Sequence, residues 1–150
     1  MRRLSAVPAV ALVVLGAVAC GTNAPPGSTP APASALCSAS YEPRELVVSG
    51  PWYSSPPTAP EGSRTTDAAT IRKIAAAACA LPEPPSDLLC TAEMGPSQEL
   101  WFIDAQGRTT ALAAAGFSCQ FVEGLGTRRY RAKPLWEALA AAGLPSVPVR

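Results

Sequence analysis

The chain has 150 residues, with 12 lysines and arginines against 11 aspartates and glutamates, five cysteines and no histidine. Without histidine, catalysis by serine–histidine or cysteine–histidine pairs is excluded, and so are metal sites with histidine ligands. The nearly neutral charge argues against nucleic acid as a partner, because nucleic-acid-binding domains concentrate positive charge.

The first 19 residues have the pattern of an export signal. Arg2 and Arg3 precede an apolar stretch at residues 4–18, which is shorter than the roughly 20 residues that span a membrane. The stretch ends in LGAVAC, which resembles the bacterial lipobox, and its cysteine, Cys20, would be diacylated by fatty acids such as palmitate. Residues 1–19 are therefore predicted to be a lipoprotein signal peptide. The alternative is ordinary cleavage after Ala19, which leaves Cys20 free.

Residues 20–35 are predicted to be the lipidated cysteine followed by a tether, GTNAPPGSTPAPASA. This stretch carries no charge and no bulky apolar residue, so it cannot bury enough surface to offset the entropy lost on ordering. Two or more acyl chains make membrane attachment stable. We therefore expect the folded part to be held on the outer face of the cell membrane. The alanine- and proline-rich composition resembles that of secreted actinobacterial proteins.

Residues 36–150 are long enough for a single domain. The segment RELVVS at residues 44–49 is short and rich in β-branched residues, which predicts a strand. Residues 50–63 are rich in proline, serine and glycine and are predicted to be a long loop. Its Trp52 and Tyr53 either pack over the edge of the core or form an exposed contact site.

A helix is predicted next, in TTDAATIRKIAAAACAL, with Thr66 or Asp67 as its N-cap and Pro82 beyond its end. Its apolar residues recur at helical spacing at positions 71, 74, 75, 78 and 79.

Beyond this helix the apolar pattern changes to the alternation of strands. Pro134 then opens a second helix that ends at Gly143. This order predicts an α+β domain with an antiparallel sheet of four to five strands, two helices on one face and two disulfides. Beyond the first helix, the predicted strands lie at residues 88–94, 98–104, 109–115, 118–123 and 128–133.

The four cysteines that remain after Cys20 imply two disulfides, because an even number in an exported chain favours pairing. We favour Cys90–Cys119 together with Cys37–Cys79. The competing arrangement joins Cys79 to Cys90 and Cys37 to Cys119. The spacing does not suit a metal cluster, and we expect no metal and no cofactor.

The remaining chemistry is sparse, and we expect no catalytic residue and no enzyme activity. Glu93, Glu99, Asp104 and Glu123 have no spacing that demands pairing, and they are interpreted as solvated surface groups. The one concentration of charge has two interpretations: the solvent face of a strand, or a patch for anionic lipid or wall polymer. Its residues are Arg128, Arg129, Arg131 and Lys133.

From the first helix to Cys119 the chain resembles the subtilisin-inhibitor-like family of actinobacteria. The resemblance rests on Cys90, on Pro96 six residues later, on a QGR turn at residues 106–108, and on Cys119. It implies a two-disulfide α+β sheet and an exposed loop, braced at Cys90, that a serine protease binds as a substrate mimic.

In that loop, which comprises Thr91, Ala92, Glu93 and Met94, the primary specificity residue would be Ala92 and Glu93 would follow it. Thr91 departs from the proline common in the family, and the bridge ahead of the helix lies elsewhere. Over its full length the chain also resembles uncharacterised actinobacterial lipoproteins that share its CALP helix-to-strand junction.

Two hypotheses follow from the sequence. The first is a cell-surface lipoprotein that displays a non-catalytic binding or structural domain, with a protein or cell-wall polymer as partner and no nucleic acid. The second is a serine-protease inhibitor.

Overall fold

A computed structural model of the chain describes residues 34–50 and 63–147. A short 3-10 turn at Ala35–Cys37 precedes five strands and two helices. The α+β fold predicted from the sequence is confirmed. The strands are β1 (Pro43–Val48), β2 (Arg64–Thr65), β3 (Ser97–Asp104), β4 (Thr109–Ala115) and β5 (Val122–Glu123), and the helices are α1 (Ala68–Cys79) and α2 (Lys133–Ala141).

The strands form one antiparallel sheet in the order β2-β1-β3-β4-β5. Along β3, every second side chain is buried, among them Leu100 and Phe102. These side chains face the helices and share one core with Leu135 and Trp136 of α2. The opposite, outer face of the sheet carries Trp101 and the other half-buried residues of β3. The period-two pattern of the sequence therefore separates a helix-covered face from an outer face.

Helix α1 begins at an aspartate cap. The Asp67 carboxylate accepts a hydrogen bond from the Thr70 amide at 2.7 Å, which satisfies one of the free amides of the first turn. Bonding to the Thr70 side chain and amide holds the pKa of Asp67 below its ordinary value. The predicted apolar stripe is confirmed, since Ile71, Ile74 and Ala78 are fully buried. No helix among the described residues is long and apolar enough to cross a membrane.

The disulfides join Cys37 to Cys79 and Cys90 to Cys119. The favoured pairing is confirmed and the competing one is wrong. The first bridge ties the turn at the start of the domain to the last residue of α1. Leu36, beside this bridge, is buried in the core. The bridge therefore fixes the first residues of the folded part, next to the predicted tether.

Two of the predicted strands are wrong. Residues 88–94 form no strand, because β3 and β4 stop pairing at Ser97 and Ala115, so these residues have no neighbouring strand to bond with. Residues 128–133 make only a single bridge, at Arg129, and Arg131 then adopts a left-handed backbone (φ 59°) that ends the extension.

Three further expectations have different outcomes. The strand predicted at residues 118–123 is confirmed only for its last two residues. The second helix begins at Lys133, and Gly143 has the positive φ (69°) expected beyond a helix end. Trp52 and Tyr53 lie outside the described residues.

Asp104 closes the turn between β3 and β4 and is buried, so its assignment as a solvated surface group is wrong. Its carboxylate accepts hydrogen bonds from the Arg108 side chain at 2.7 Å and from the amides of Arg108 and Gln106, each at 2.9 Å. Burial raises the pKa of Asp104, but these hydrogen bonds outweigh burial and hold it below the ordinary value of 3.8.

The ionised Asp104 therefore stabilises the fold above pH 3.8, and this contribution is lost as the pH falls through the lower folded-state pKa. We predict that Asp104→Asn lowers the urea midpoint of unfolding at pH 7. The difference from the native chain should shrink steadily below pH 3.8. Asp87→Asn, at an exposed position, is the control. A deficit that stays constant down to pH 2 would contradict this role.

Candidate functional site

The four residues of the loop predicted to bind a protease lie in an irregular segment ahead of β3. Thr91, Ala92, Glu93 and Met94 are all exposed. Leu89 is 94% exposed and Met94 88%, and they are the only large hydrophobic residues of the described chain so fully in solvent. We call residues 89–94 the contact loop. Both side chains belong to one irregular segment of six residues.

The contact loop and the residues directly after it are attached to the segment between β4 and β5 at three points. The Cys90–Cys119 disulfide brings the two Cα atoms to 5.4 Å. Beside it, the Ser118 hydroxyl donates a hydrogen bond to the Thr91 carbonyl at 2.7 Å. Further on, the Gly116 amide donates to the Pro96 carbonyl at 2.9 Å. The loop is therefore fixed at both ends although it belongs to no strand.

The backbone around Cys119 is strained. Ser118 and Gln120 both have left-handed conformations, with φ of 53° and 51°. The Cys119 carbonyl accepts a hydrogen bond from the amide of Arg131, a third residue with positive φ. Each such residue costs of order 1–3 kcal/mol and persists only when its surroundings impose it. Strain of this kind clusters at functional sites.

Gly95 allows the end of the contact loop to approach Phe117. A Cβ atom at position 95 would lie 2.7 Å from the Cβ of Phe117, closer than carbon atoms pack. The Phe117 Cβ cannot rotate away, because it is bonded directly to the backbone. The close contact therefore depends on the missing side chain.

A cavity of about 360 Å³ lies between the contact loop and the end of the sheet. Thr91 and Glu93 line it from the loop, and Phe117 and Phe121 from the segment between β4 and β5. Ala113 and the alanines that follow it on β4 supply an apolar surface. At the β5 side, the Glu123 carboxylate accepts a hydrogen bond from Arg128 at 2.6 Å.

The sequence predicts neither this cavity nor a place for Leu89 and Ser118 in the site. Leu89 belongs to a predicted strand, and Ser118 meets Thr91, 27 positions away in the chain, beside the disulfide. Within the sequence, the one available signal was the pair Cys90 and Cys119, whose flanking residues must meet once the bridge is accepted.

The cations of the predicted anion patch are dispersed. Three have a carboxylate within 4 Å, and the guanidinium of the fourth lies over the ring of Tyr130. Arg129 is half-buried and also donates to the Leu81 carbonyl. Most of their positive charge is therefore compensated by carboxylates of the same molecule. The pairs are Arg128–Glu123 at 2.6 Å, Arg129–Glu83 at 3.4 Å and Lys133–Glu137 at 3.8 Å, with Arg131 over Tyr130.

The carboxylates singled out in the sequence are spread over the sheet and its loops. Asp104 lies at one end of β3 and Glu93 precedes the other end, while Glu99 is half-buried on the outer face. Among residues 34–50 and 63–147, no group of three or more acidic or cysteine side chains is arranged to hold a metal ion. Cys20 lies outside the described residues.

Comparison with known proteins adds no relative: no family model, curated protein or solved structure matches the chain.

We predict that Gly95→Ala loosens the contact loop, because the new methyl group overlaps Phe117. Limited digestion by thermolysin under native conditions should cut residues 89–94 faster than in the native chain, as located by mass spectrometry. Gly50→Ala is the matched control, since a Cβ there meets no atom of the described residues within 4 Å. Equal cleavage rates in the two variants would show that the close approach does not hold the loop.

Proposed function

We propose that the chain is a lipoprotein anchored through Cys20 on the outer face of the cell membrane, whose folded part is a non-catalytic domain that binds another protein. The contact loop is its binding element. The observation that carries this proposal is the exposure of Leu89 and Met94 on a loop fixed by a disulfide. A few well-packed side chains carry most of the energy of a protein interface, and a loop ordered beforehand loses less freedom on binding.

The chemistry of the loop favours a protein over a wall polymer as the partner. Its two exposed anchors are aliphatic, and methionine adapts its shape to an apolar pocket. The cations that would attract an anionic polymer are largely paired with Glu83, Glu123 and Glu137.

The cysteines support export. Four of the five close two disulfides, which form and persist in oxidising compartments outside the cytoplasm. The fifth, Cys20, follows the small residues of the lipobox-like segment. A chain whose other cysteines are paired leaves this one for acylation.

A second candidate function is inhibition of a serine protease of the subtilisin class. The arrangement that favours it is the bridge at Cys90 immediately before three exposed residues, Thr91, Ala92 and Glu93. A loop held in this way can enter a protease site as a substrate and resist cleavage, because its ends are kept together. In this candidate Ala92 occupies the primary specificity pocket.

One experiment on wall-bearing cells that produce the protein tests anchoring and binding together. We expect the native chain in the membrane fraction, with a mature N-terminus at acylated Cys20 by mass spectrometry, and Cys20→Ser in the medium. Leu89→Ser/Met94→Ser should stay in the membrane but crosslink its partner about tenfold less, since it loses both apolar anchors. Ala140→Ser, at an exposed position on α2, should behave as the native chain.

The two parts of the proposal fail separately. An unmodified Cys20 in the mature chain would overturn the anchor. A crosslinked partner that is retained equally by the native chain and by Leu89→Ser/Met94→Ser would overturn the assignment of the contact loop.

The inhibitor candidate predicts a stoichiometric loss of subtilisin activity when the native chain is added in equal amount. Cys90→Ala/Cys119→Ala should then be a substrate cut after Ala92, because the bridge no longer holds the loop. Cys37→Ala/Cys79→Ala, which opens the other bridge, should still inhibit. Full protease activity, with rapid cleavage of the native chain after Ala92, would exclude this candidate.

A further inference from the structure

The cavity beside the contact loop has the volume for a long, flexible side chain. Its volume of about 360 Å³ falls in the range of ligand sites, and it is open to solvent beside Glu93. Ala113 provides an apolar surface without bulk, and Phe117 and Phe121 also line the cavity. Such walls suit the methylene groups of an extended side chain.

The charges around the cavity favour a cation. Of the three charged residues that line it, Glu93 and Glu123 are acidic and Arg128 is basic, which leaves a net charge of −1. Arg128 is already bound to Glu123 and lies over the ring of Phe121, 4.8 Å from its centre. Glu93 forms no ion pair with any residue that the structure describes.

A further carboxylate strengthens the negative potential. Glu99 lies directly opposite Ala113 in the sheet register, and Ala113 in turn lies opposite Glu123. These three positions share the outer face, so Glu99 and Glu123 flank the alanine that lines the cavity. A neutral occupant would leave the Glu93 carboxylate partly desolvated and unpaired, which is unfavourable.

We propose that this cavity receives a lysine or arginine side chain of the polypeptide bound by the contact loop. The methylene groups pack on Ala113 and Phe117, and the cationic head pairs with Glu93. Long basic side chains bury their stems while keeping the charge near water, as this opening allows. The inference rests on the proposed function, since it assumes that the partner is a protein, and it adds a basic residue as the feature that the partner must carry.

The chain offers a direct spectroscopic test, because it has three phenylalanines. Phe117 and Phe121 line the cavity, whereas Phe102 is fully buried in the core and serves as an internal control. The full chain, labelled with 13C-phenylalanine in neutral detergent, is titrated with N-acetyl-arginine methylamide. The probe for comparison is N-acetyl-citrulline methylamide, which has the same length and no charge.

We expect saturable shifts at Phe117 and Phe121, none at Phe102, and about fivefold weaker binding of the citrulline probe, as for a partly exposed ion pair. Glu93→Gln should remove this preference. Glu42→Gln is the control, because Glu42 is exposed next to the strand end that pairs with Asp104, at the far end of β3. Ala113→Leu fills the cavity from an exposed position and should abolish the shifts with both probes.

Equal binding of the two probes, or a preference for arginine that survives Glu93→Gln, would overturn the proposal. So would the absence of shifts at Phe117 and Phe121. These outcomes concern the cavity alone, since no partner takes part. Crosslinking that depends on Leu89 and Met94 while the probes fail would leave the contact loop as the binding element and contradict only the basic side chain.

Discussion

The covalent link between Cys90 and Cys119 is the constraint on which the site depends. It joins two irregular segments beyond the point where β3 and β4 stop pairing. The bridge spans 29 positions in the sequence, and in the chain-entropy model closing such a loop is worth about 3.5 kcal/mol. Its local effect is more specific. It brings Ser118 to Thr91 and Phe117 to Gly95, and so forms one wall of the cavity.

That constraint explains how apolar residues can remain in solvent. A free segment carrying Leu89 and Met94 would be expected to fold back onto the nearest apolar surface. Here the bridge at Cys90 directly follows Leu89, and the contact of Gly95 with Phe117 directly follows Met94, so each exposed residue is next to a fixed point of the chain. The left-handed backbone at Ser118 and Gln120 is part of the cost of holding this geometry.

Much of the fold could be predicted because its signals are local. The spacing of Ile71, Ile74 and Ala78 specifies a helix face, and the alternation through residues 98–104 specifies a strand with one buried side. Residues 88–94 resemble a strand just as well, but a strand also requires a neighbour. The register of β3 and β4 ends too early to provide one. Strand formation at residues 88–94 therefore depends on long-range pairing, which a local sequence pattern does not report.

The charged residues also depend on long-range contacts. The run from Arg128 to Lys133 is conspicuous in the sequence, but its counter-ions come from distant places: Glu83 follows α1 and Glu137 lies on α2. The cavity has the opposite sign to the predicted patch for the same reason, since Glu93, Glu99 and Glu123 are gathered only by the sheet and the bridge. A run of like charges in the sequence therefore does not predict the charge of the folded surface where folding brings distant counter-ions close.

The size of the proposed site fits its proposed location. Two aliphatic anchors and one cavity make a small interface, and small interfaces bind weakly in solution. The proposed attachment to the membrane would change this requirement. The part of the predicted tether that precedes the 3-10 turn, residues 20–33, would keep the domain within about 45 Å of its anchor if extended at about 3.1 Å per residue. A partner confined to the same surface would meet the contact loop at a high effective concentration, so a weak contact would suffice. The proposed lipid and the disulfide would then have complementary roles: the lipid would limit where the loop can be, and the disulfide limits the shape it can take.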